Sequence, residues 1–403
     1  MQVSQAQRDL AAKFVFAGTF RETLVGDAMV ALVAHAYTEE EASVVCGLNL
    51  VPRPAWAVAR ALKRPVEEVE PVLRSLADRL LILGAVVRGA RLYGFMPLAP
   101  GVYEMQMIRS RTDTSRGVFY RRFAELFEQA YDEFFTWARP RIQGRDLRFG
   151  RIVPVEQSID VRTGIMPHST DRYSEIVDRN KVFALCNVCA CRQEKELLGE
   201  GCGRGMDVCG AMGVLADLAV GKGIARRVSR EEFVEAKARA AEQGLVNLVD
   251  NLRDPVQICS CCSCCCAALR IVAAYNIPTI IVQSRYEARV DTEACEGCGK
   301  CMKICPMDAI SVRDGVARVD YARCIGCGLC VGKCDGPGAL SMRERADHKP
   351  PQDNIFSYAQ ARWHEMRNTP ASLLPRIGIG GALGRLLPMS ISGPKYKEKD
   401  WFK

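Results

Sequence analysis

Two cysteine runs constrain this chain more than anything else in it. CEGCGKCMKICP places Cys295, Cys298, Cys301 and Cys305 in a C-x2-C-x2-C-x3-C-P pattern. CIGCGLCVGKCD repeats the spacing at Cys324, Cys327, Cys330 and Cys334, 29 residues further on. Between them SVRDGVARVD alternates around Asp314-Gly315, the kind of dipeptide that most strongly signals a two-residue hairpin.

Two such runs resemble the bacterial ferredoxin that carries two [4Fe–4S] cubanes. The resemblance implies crossed ligand sets, because three thiolates on one tight loop reach three corners of a cube and the fourth corner lies too far round. It assigns Cys295, Cys298, Cys301 and Cys334 to one cluster, and Cys324, Cys327, Cys330 and Cys305 to the other. Glycines at 297, 299, 326 and 328 would let backbone amides approach the cluster sulfurs. Zinc, at four ligands per ion, would not require a crossed double pattern. One departure from the motif is Asp335, which follows Cys334 where proline follows Cys305. A carboxylate there is expected to put negative charge near one cluster and disfavour its reduction.

The chain has 20 cysteines against 4 histidines; Cys46 stands alone and the other 19 fall between Cys186 and Cys334. With 403 residues, 48% of them hydrophobic and 25% charged, it reads as two to four globular domains that need no disulfide staples. The polar start MQVSQAQRDL lacks a signal-peptide profile, and no apolar run is long enough to span a membrane. These features predict a cytoplasmic chain, whose clustered cysteines are metal ligands rather than disulfides. The net charge of +8 is spread along the sequence and suits an acidic protein partner as well as nucleic acid.

Eleven clustered cysteines lie outside the two runs. Cys186, Cys189, Cys191, Cys202 and Cys209 occupy CNVCACRQEKELLGEGCGRGMDVC; Cys259, Cys261, Cys262, Cys264, Cys265 and Cys266 occupy CSCCSCCC. Disulfides between adjacent cysteines are strained, zinc ribbons use paired C-x2-C knuckles, and free core cysteines are a poor account of six in eight positions. Soft thiolate chemistry favours one or two additional iron–sulfur clusters. Neighbours in an extended chain face opposite sides, so Cys261/Cys262 and Cys264/Cys265 are each expected to serve two sites at once. One of those sites would draw on Cys189, Cys191, Cys202 and Cys209. Surplus thiols could instead do redox chemistry. Residues 150–342 also resemble a poorly characterised group of multi-cluster iron–sulfur proteins of anaerobes, through CACR (189–192), CSCCSCCC (259–266) and the repeats from 295 to 334. MPLAPGVYE (96–104) is similar to the same group. That resemblance implies electron transfer in anaerobic metabolism and names no substrate.

The expected architecture is α+β and multidomain. Residues 1–115 read as a helical region with a winged helix-turn-helix. Residues 20–37 are helical, Thr38 and Glu41 form a capping box, and Val66, Val69, Val72, Leu73, Leu76 and Leu80 recur at helical spacing. Pro71 marks a kink or a late start, and two β-prone runs flank Arg88-Gly89. Glu67, Glu68 and Glu70 in the would-be recognition helix argue against DNA. Residues 116–148 form an aromatic helix (117–137, with Phe119, Phe123, Phe127, Tyr131 and Phe134 on one face) and a linker. Residues 149–290 are a Cys-rich α+β iron–sulfur domain, with strands at RIVPVEQSI and IPTIIV and a helix capped by Ser229 and Glu232 that stops near Gly244. Residues 291–342 are the two-cluster ferredoxin domain. Residues 343–403 form an extended tail whose apolar LLPRIGIGGALGRLLPM (373–389) could dock on a partner subunit or a membrane surface.

These features together predict an electron-transfer protein that relays single electrons between a redox donor protein and an enzyme partner, as a component of an oxidoreductase system. A second reading is an oxidoreductase with a Cys-rich substrate-reducing site. A third is a redox-sensing winged-helix regulator. GKG (221–223) lacks the setting of a phosphate loop, and His168 and His364 read as structural, so electrons are expected from another protein rather than a soluble hydride donor.

Overall fold

The computed structural model describes residues 3–16, 25–87, 89–142, 148–159, 169–336 and 338–353. Expectations for Arg88, His168, His364 and the tail beyond Asp353 lie outside the described residues. The chain divides into two compact units at Phe134 and Phe135.

In the first unit, helices α1 (Gln5–Phe16), α2 (Asp27–Ala36) and α3 (Glu39–Cys46) come first. Thr38 caps α3 reciprocally: its Oγ1 accepts from the Glu41 amide at 3.2 Å, and Glu41 Oε2 accepts from the Thr38 amide at 2.9 Å. Lys13 Nζ donates to the carbonyls of Val45, Cys46 and Leu48 at 3.2, 2.8 and 2.5 Å, satisfying the end of α3. Then come β1 (Arg53–Pro54), α4 (Ala55–Leu62), α5 (Val66–Asp78), β2 (Leu83–Val87) and β3 (Ala90–Gly94). The three strands pair antiparallel in the order β1-β3-β2. Helix α5 starts at Val66 and runs through Pro71, so the proline marks no late start. Pro71 and Glu67, whose carbonyl loses its helical donor, both face solvent, where water can replace the lost bond. After α6 (Tyr103–Ser110), helix α7 extends over Gly117–Ile142, five residues past its expected end. Phe123, Phe127 and Tyr131 of the aromatic stripe are buried, and Tyr103 stacks on Phe127 with ring centroids 3.8 Å apart. That stripe is core.

The second unit is built on a seven-stranded sheet of order β10-β4-β8-β9-β6-β5-β7. Its strands are β4 (Gly150–Val153), β5 (Phe183–Cys186), β6 (Gly210–Met212), β7 (Ala225–Val228), β8 (Val246–Asp250), β9 (Gln257–Cys261) and β10 (Ile281–Val282). Only the β10–β4 pair is parallel. Strand β4 stops at Val153 because Pro154 cannot donate to a ladder, and a 3-10 turn follows. IPTIIV is likewise mostly a 3-10 turn, Pro278–Ile280, with two strand residues after it. The helices are α8 (Tyr173–Asp178), α9 (Ala190–Leu197), α10 (Gly213–Gly221), α11 (Arg230–Glu242) and α12 (Ala267–Ala273). Ser229 Oγ caps α11 by accepting from the Glu232 amide at 3.1 Å, and Gly244 leaves the helix at φ +75°. Phe183, Met212, Phe233 and Ile258 share one core between the sheet, α8 and α11. The GKG triplet is the C-terminal turn of α10.

The same unit ends in two antiparallel pairs: β11 (Tyr286–Val290) with β14 (Leu340–Glu344), and the hairpin β12 (Ile310–Arg313) with β13 (Val316–Val319). Asp314 and Gly315 turn the hairpin at φ +52° and +73°, as a two-residue turn with both centres left-handed requires. A short helix, α13 (Lys300–Ile304), packs against a 3-10 turn at Val331–Lys333. No helix among the described residues is long and apolar enough to cross a membrane.

Candidate metal centres

The two cysteine runs fold around separate centres. Cys305, Cys324, Cys327 and Cys330 line one cavity, walled by apolar groups that include Met307, Ile310, Leu329 and Met342. Cys305 thus leaves the other thiols of its own run and joins those of the second. Burial pushes the Cys327 thiol up to about 12, so the neutral thiol dominates until a metal offsets the lost hydration. Cys301 instead lies within electrostatic reach of Cys295 and Cys298, and α13, which carries it, packs beside the turn that ends at Cys334. Backbone amides donate to sulfurs of the first run, Ala317 to Cys295 at 3.4 Å and Ala309 to Cys305 at 3.3 Å. Such bonds favour the more negative, reduced state of a cluster. Gly326, at φ +71°, has no room for a side chain, since a Cβ would strike the Tyr286 carbonyl. Residues 287–335 match the family model of 4Fe-4S dicluster domains.

This stretch is an iron–sulfur dicluster domain.

The dicluster domain includes most of β11, slightly upstream of the boundary expected from the cysteines alone. Compared with curated proteins and with solved structures, the chain matches none. Asp335, the departure from the motif, forms an ion pair with Lys300. That pair places a cation beside the carboxylate at the cluster loop and offsets part of its charge.

Four of the other eleven thiols, Cys186, Cys209, Cys259 and Cys261, lie in or beside three neighbouring strands, and the rest come from helix starts, loops and a turn. Leu185 pairs with Gly210 and Gly210 with Ile258, so the next residues along, Cys186, Cys209 and Cys259, follow one another across β5, β6 and β9. The Cys186 amide donates to the Cys209 carbonyl at 2.9 Å. Cys259 and Cys261 alternate along β9 with Ile258 and Ser260, so their thiols face away from the α11 core. Cys189 is the N-cap of α9, Cys191 lies in its first turn, and Cys266 precedes α12.

Two sets result. Cys202, Cys262, Cys264 and Cys265 have sulfurs that all lie within 4.8 Å of one another. That spacing suits a single tetrahedral ion, because metal–sulfur bonds of about 2.3 Å put sulfurs roughly 3.8 Å apart. Contact with Cys265 above all holds the Cys262 thiol down at about 4, making it the thiolate of this set. Arg204 Nη1 donates to Cys264 at 3.5 Å. Cys264 and Cys265 do not split between two sites, because residues 263–265 form a turn rather than extended chain.

The second set is a closed ring. Each thiol interacts with two others, in the order Cys189, Cys191, Cys266, Cys261, Cys259, Cys209 and back to Cys189. Cys186 lies beside Cys209, its thiol pushed up to about 12 by burial. Two buried cations attend the ring. Lys237 of α11 donates to the carbonyls of Val208 and Ile258, the latter at 2.7 Å, and to Ser260 Oγ at 3.2 Å. Arg192 of α9 donates from Nη1 to the Ser260 carbonyl at 3.2 Å and to Cys262 Sγ at 3.9 Å, and so stands between the two sets. Sequence reasoning missed both cations. The CACR tetrapeptide held the only hint, an arginine one residue beyond two ligand-type cysteines. Cys46 belongs to neither set; it lies in the first unit with its thiol toward the Ala6 carbonyl at 3.9 Å.

Proposed function

We propose that the protein is a multi-cluster electron carrier that passes single electrons between a donor protein and an enzyme partner. The observation that carries this reading is the dicluster domain, in which Cys305 joins the second run's thiols around one apolar cavity. Cys295, Cys298, Cys301 and Cys334 would hold one cubane, and Cys305, Cys324, Cys327 and Cys330 the other. Cubanes supply reversible one-electron chemistry. The chain's own groups keep water from the buried thiols, donate amide N–H bonds to ligand sulfurs and fix the separation of the two centres. Cys298 is exposed, which leaves the first centre the nearer to a docked partner.

The first unit, with two helices followed by a β-hairpin, reads as a winged helix used for docking rather than for DNA. Glu67 and Glu68 are exposed in the first turn of α5, where a DNA reader would need neutral or basic groups. A cytoplasmic setting follows from thiols that need reducing conditions.

The test is reduction of anaerobically purified full-length protein, followed by electron paramagnetic resonance. A one-electron donor such as reduced methyl viologen should produce signals of two interacting cubanes, and an oxidised one-electron acceptor should abolish them. Full reduction by NADH alone, with no carrier protein, would contradict the relay reading and favour an oxidoreductase with its own hydride acceptor.

A further inference from the structure

We propose that Cys189, Cys191, Cys209, Cys259, Cys261 and Cys266 together bind one iron–sulfur cluster larger than a four-iron cubane. The inference rests on the reading of the protein as an iron–sulfur carrier, and it deepens that reading by naming what the middle of the chain holds. A cubane takes one thiolate per iron, four in all, and would leave two ring thiols idle. The ring has no such division, since every member interacts with two others and none stands apart.

The order round the ring contains a further regularity. Two C-x-C pairs, Cys189/Cys191 and Cys259/Cys261, occupy opposite sides, and the single residues Cys266 and Cys209 close the two ends. Half a turn therefore exchanges pair for pair and single for single, dividing the ring into two sets of three. Three thiolates cap three corners of a cube. Two cubes that share one bridging sulfide at the remaining corner need six protein ligands, and the ring supplies six.

An independent observation points to the same occupant. Arg192 is 2% exposed, yet its Nε and Nη2 have no hydrogen-bond partner. Its guanidinium lies within electrostatic reach of Cys189 and Cys209 on the ring. Buried N–H groups without acceptors are costly, and cluster sulfides accept such bonds. The charge balance agrees. Six thiolates in a buried site need positive charge, which Arg192 and Lys237 supply in part and irons supply in the main. The compact set of Cys202, Cys262, Cys264 and Cys265 is a separate site by its tighter spacing.

Iron per chain in anaerobically purified full-length variants decides the matter. The dicluster domain accounts for about eight irons. The variant C202A/C264A removes the compact set, whose loop is partly exposed, and should retain about sixteen irons, eight of them from the ring. About twelve or fewer in that variant would overturn the proposal, since the ring would then hold a single cubane or nothing. In the reverse experiment C189A/C191A should lose about eight irons relative to the parent, with the paired-cubane resonance of the dicluster domain unchanged. A loss of about four, or none, with that resonance intact would equally overturn it. The resonance separates this outcome from failure of the carrier reading, which would show in the dicluster signals themselves. Made in the C202A/C264A background, where the compact set that Arg192 also touches is gone, Arg192→Leu should alter the spectrum of the ring cluster and leave the dicluster signals unchanged, and Arg192→Lys should restore part of it.

Discussion

Lys300 and Asp335 form an ion pair across the two arms of the dicluster domain, from the first residue of α13 to the residue after Cys334. The pair is exposed, so its worth to stability is small, but it places a cation against the one carboxylate that departs from the ferredoxin motif. Lys300→Gln should leave that carboxylate uncompensated and lower the potential of the nearer cluster, on the order of tens of millivolts at low salt. Asp335→Asn should raise it. A potentiometric titration at two ionic strengths checks both signs, and both shifts should shrink as salt rises. Equal potentials in all three proteins would remove Asp335 from the set of groups that tune this centre.

Gly326 should be far less tolerant than Gly332, six residues away. The first is left-handed at φ +71° with its missing Cβ directed at the Tyr286 carbonyl; the second has open space around it. Gly326→Ala should destabilise the domain by about 2–4 kcal/mol and lose about four irons, those of the cluster proposed for Cys305, Cys324, Cys327 and Cys330. Gly332→Ala should change stability by less than about 0.5 kcal/mol. Iron content and urea unfolding under anaerobic conditions report on both.

The dicluster domain was legible in the sequence because its ligands are local: a loop with fixed spacing carries three of four thiols, and Asp314-Gly315 dictates its own hairpin. The two sets drawn from the other eleven thiols were not, because they depend on strand pairing and on a turn. Cys186, Cys209 and Cys259 become neighbours only through the order β9-β6-β5, which no spacing along the chain encodes. The turn at residues 263–265 likewise overrode the alternation expected of extended chain, and put Cys264 and Cys265 in one set. Periodicity found α5 but could not choose between a kink and a late start at Pro71, since the effect of a helical proline depends on which face it occupies.

DNA binding by the first unit should be absent. Arg64 is engaged by Glu40 and Glu68 at 2.9 and 3.4 Å, and Arg74 by Glu70 at 2.9 Å, so these two cations are already paired with carboxylates. A phosphate backbone approaching that face meets acidic groups first. Fluorescence anisotropy with labelled duplexes of mixed sequence should show no saturable binding at moderate salt, whether the clusters are oxidised or reduced. Saturable, salt-sensitive binding that changes with oxidation state would revive the regulator reading.

Lys13 gives the first unit a stability that depends on pH. Its amine satisfies three carbonyls at the end of α3, while burial, outweighing the other influences, lowers its pKa from 10.5 to about 8. A group that binds protons less well when folded makes stability rise with pH between its folded and unfolded values. The contribution of Lys13 therefore rises from pH 8 toward 10.5, as the cost of holding the charged amine disappears, while the Cys46 thiol, raised by burial from 9.0 to about 11, acts with the opposite sign above pH 9 in parent and variant alike. Lys13→Met removes both the donor and the titration, and should destabilise the unit by about 1–3 kcal/mol near neutral pH. The difference between parent and variant should widen as pH rises through 8. Cys46 reports it: this is the one cysteine outside 186–334, and its alkylation as a function of urea, read by peptide mass, follows opening of the first unit. A difference that stays constant from pH 7 to about 10 would mean that Lys13 keeps its proton in the folded chain throughout.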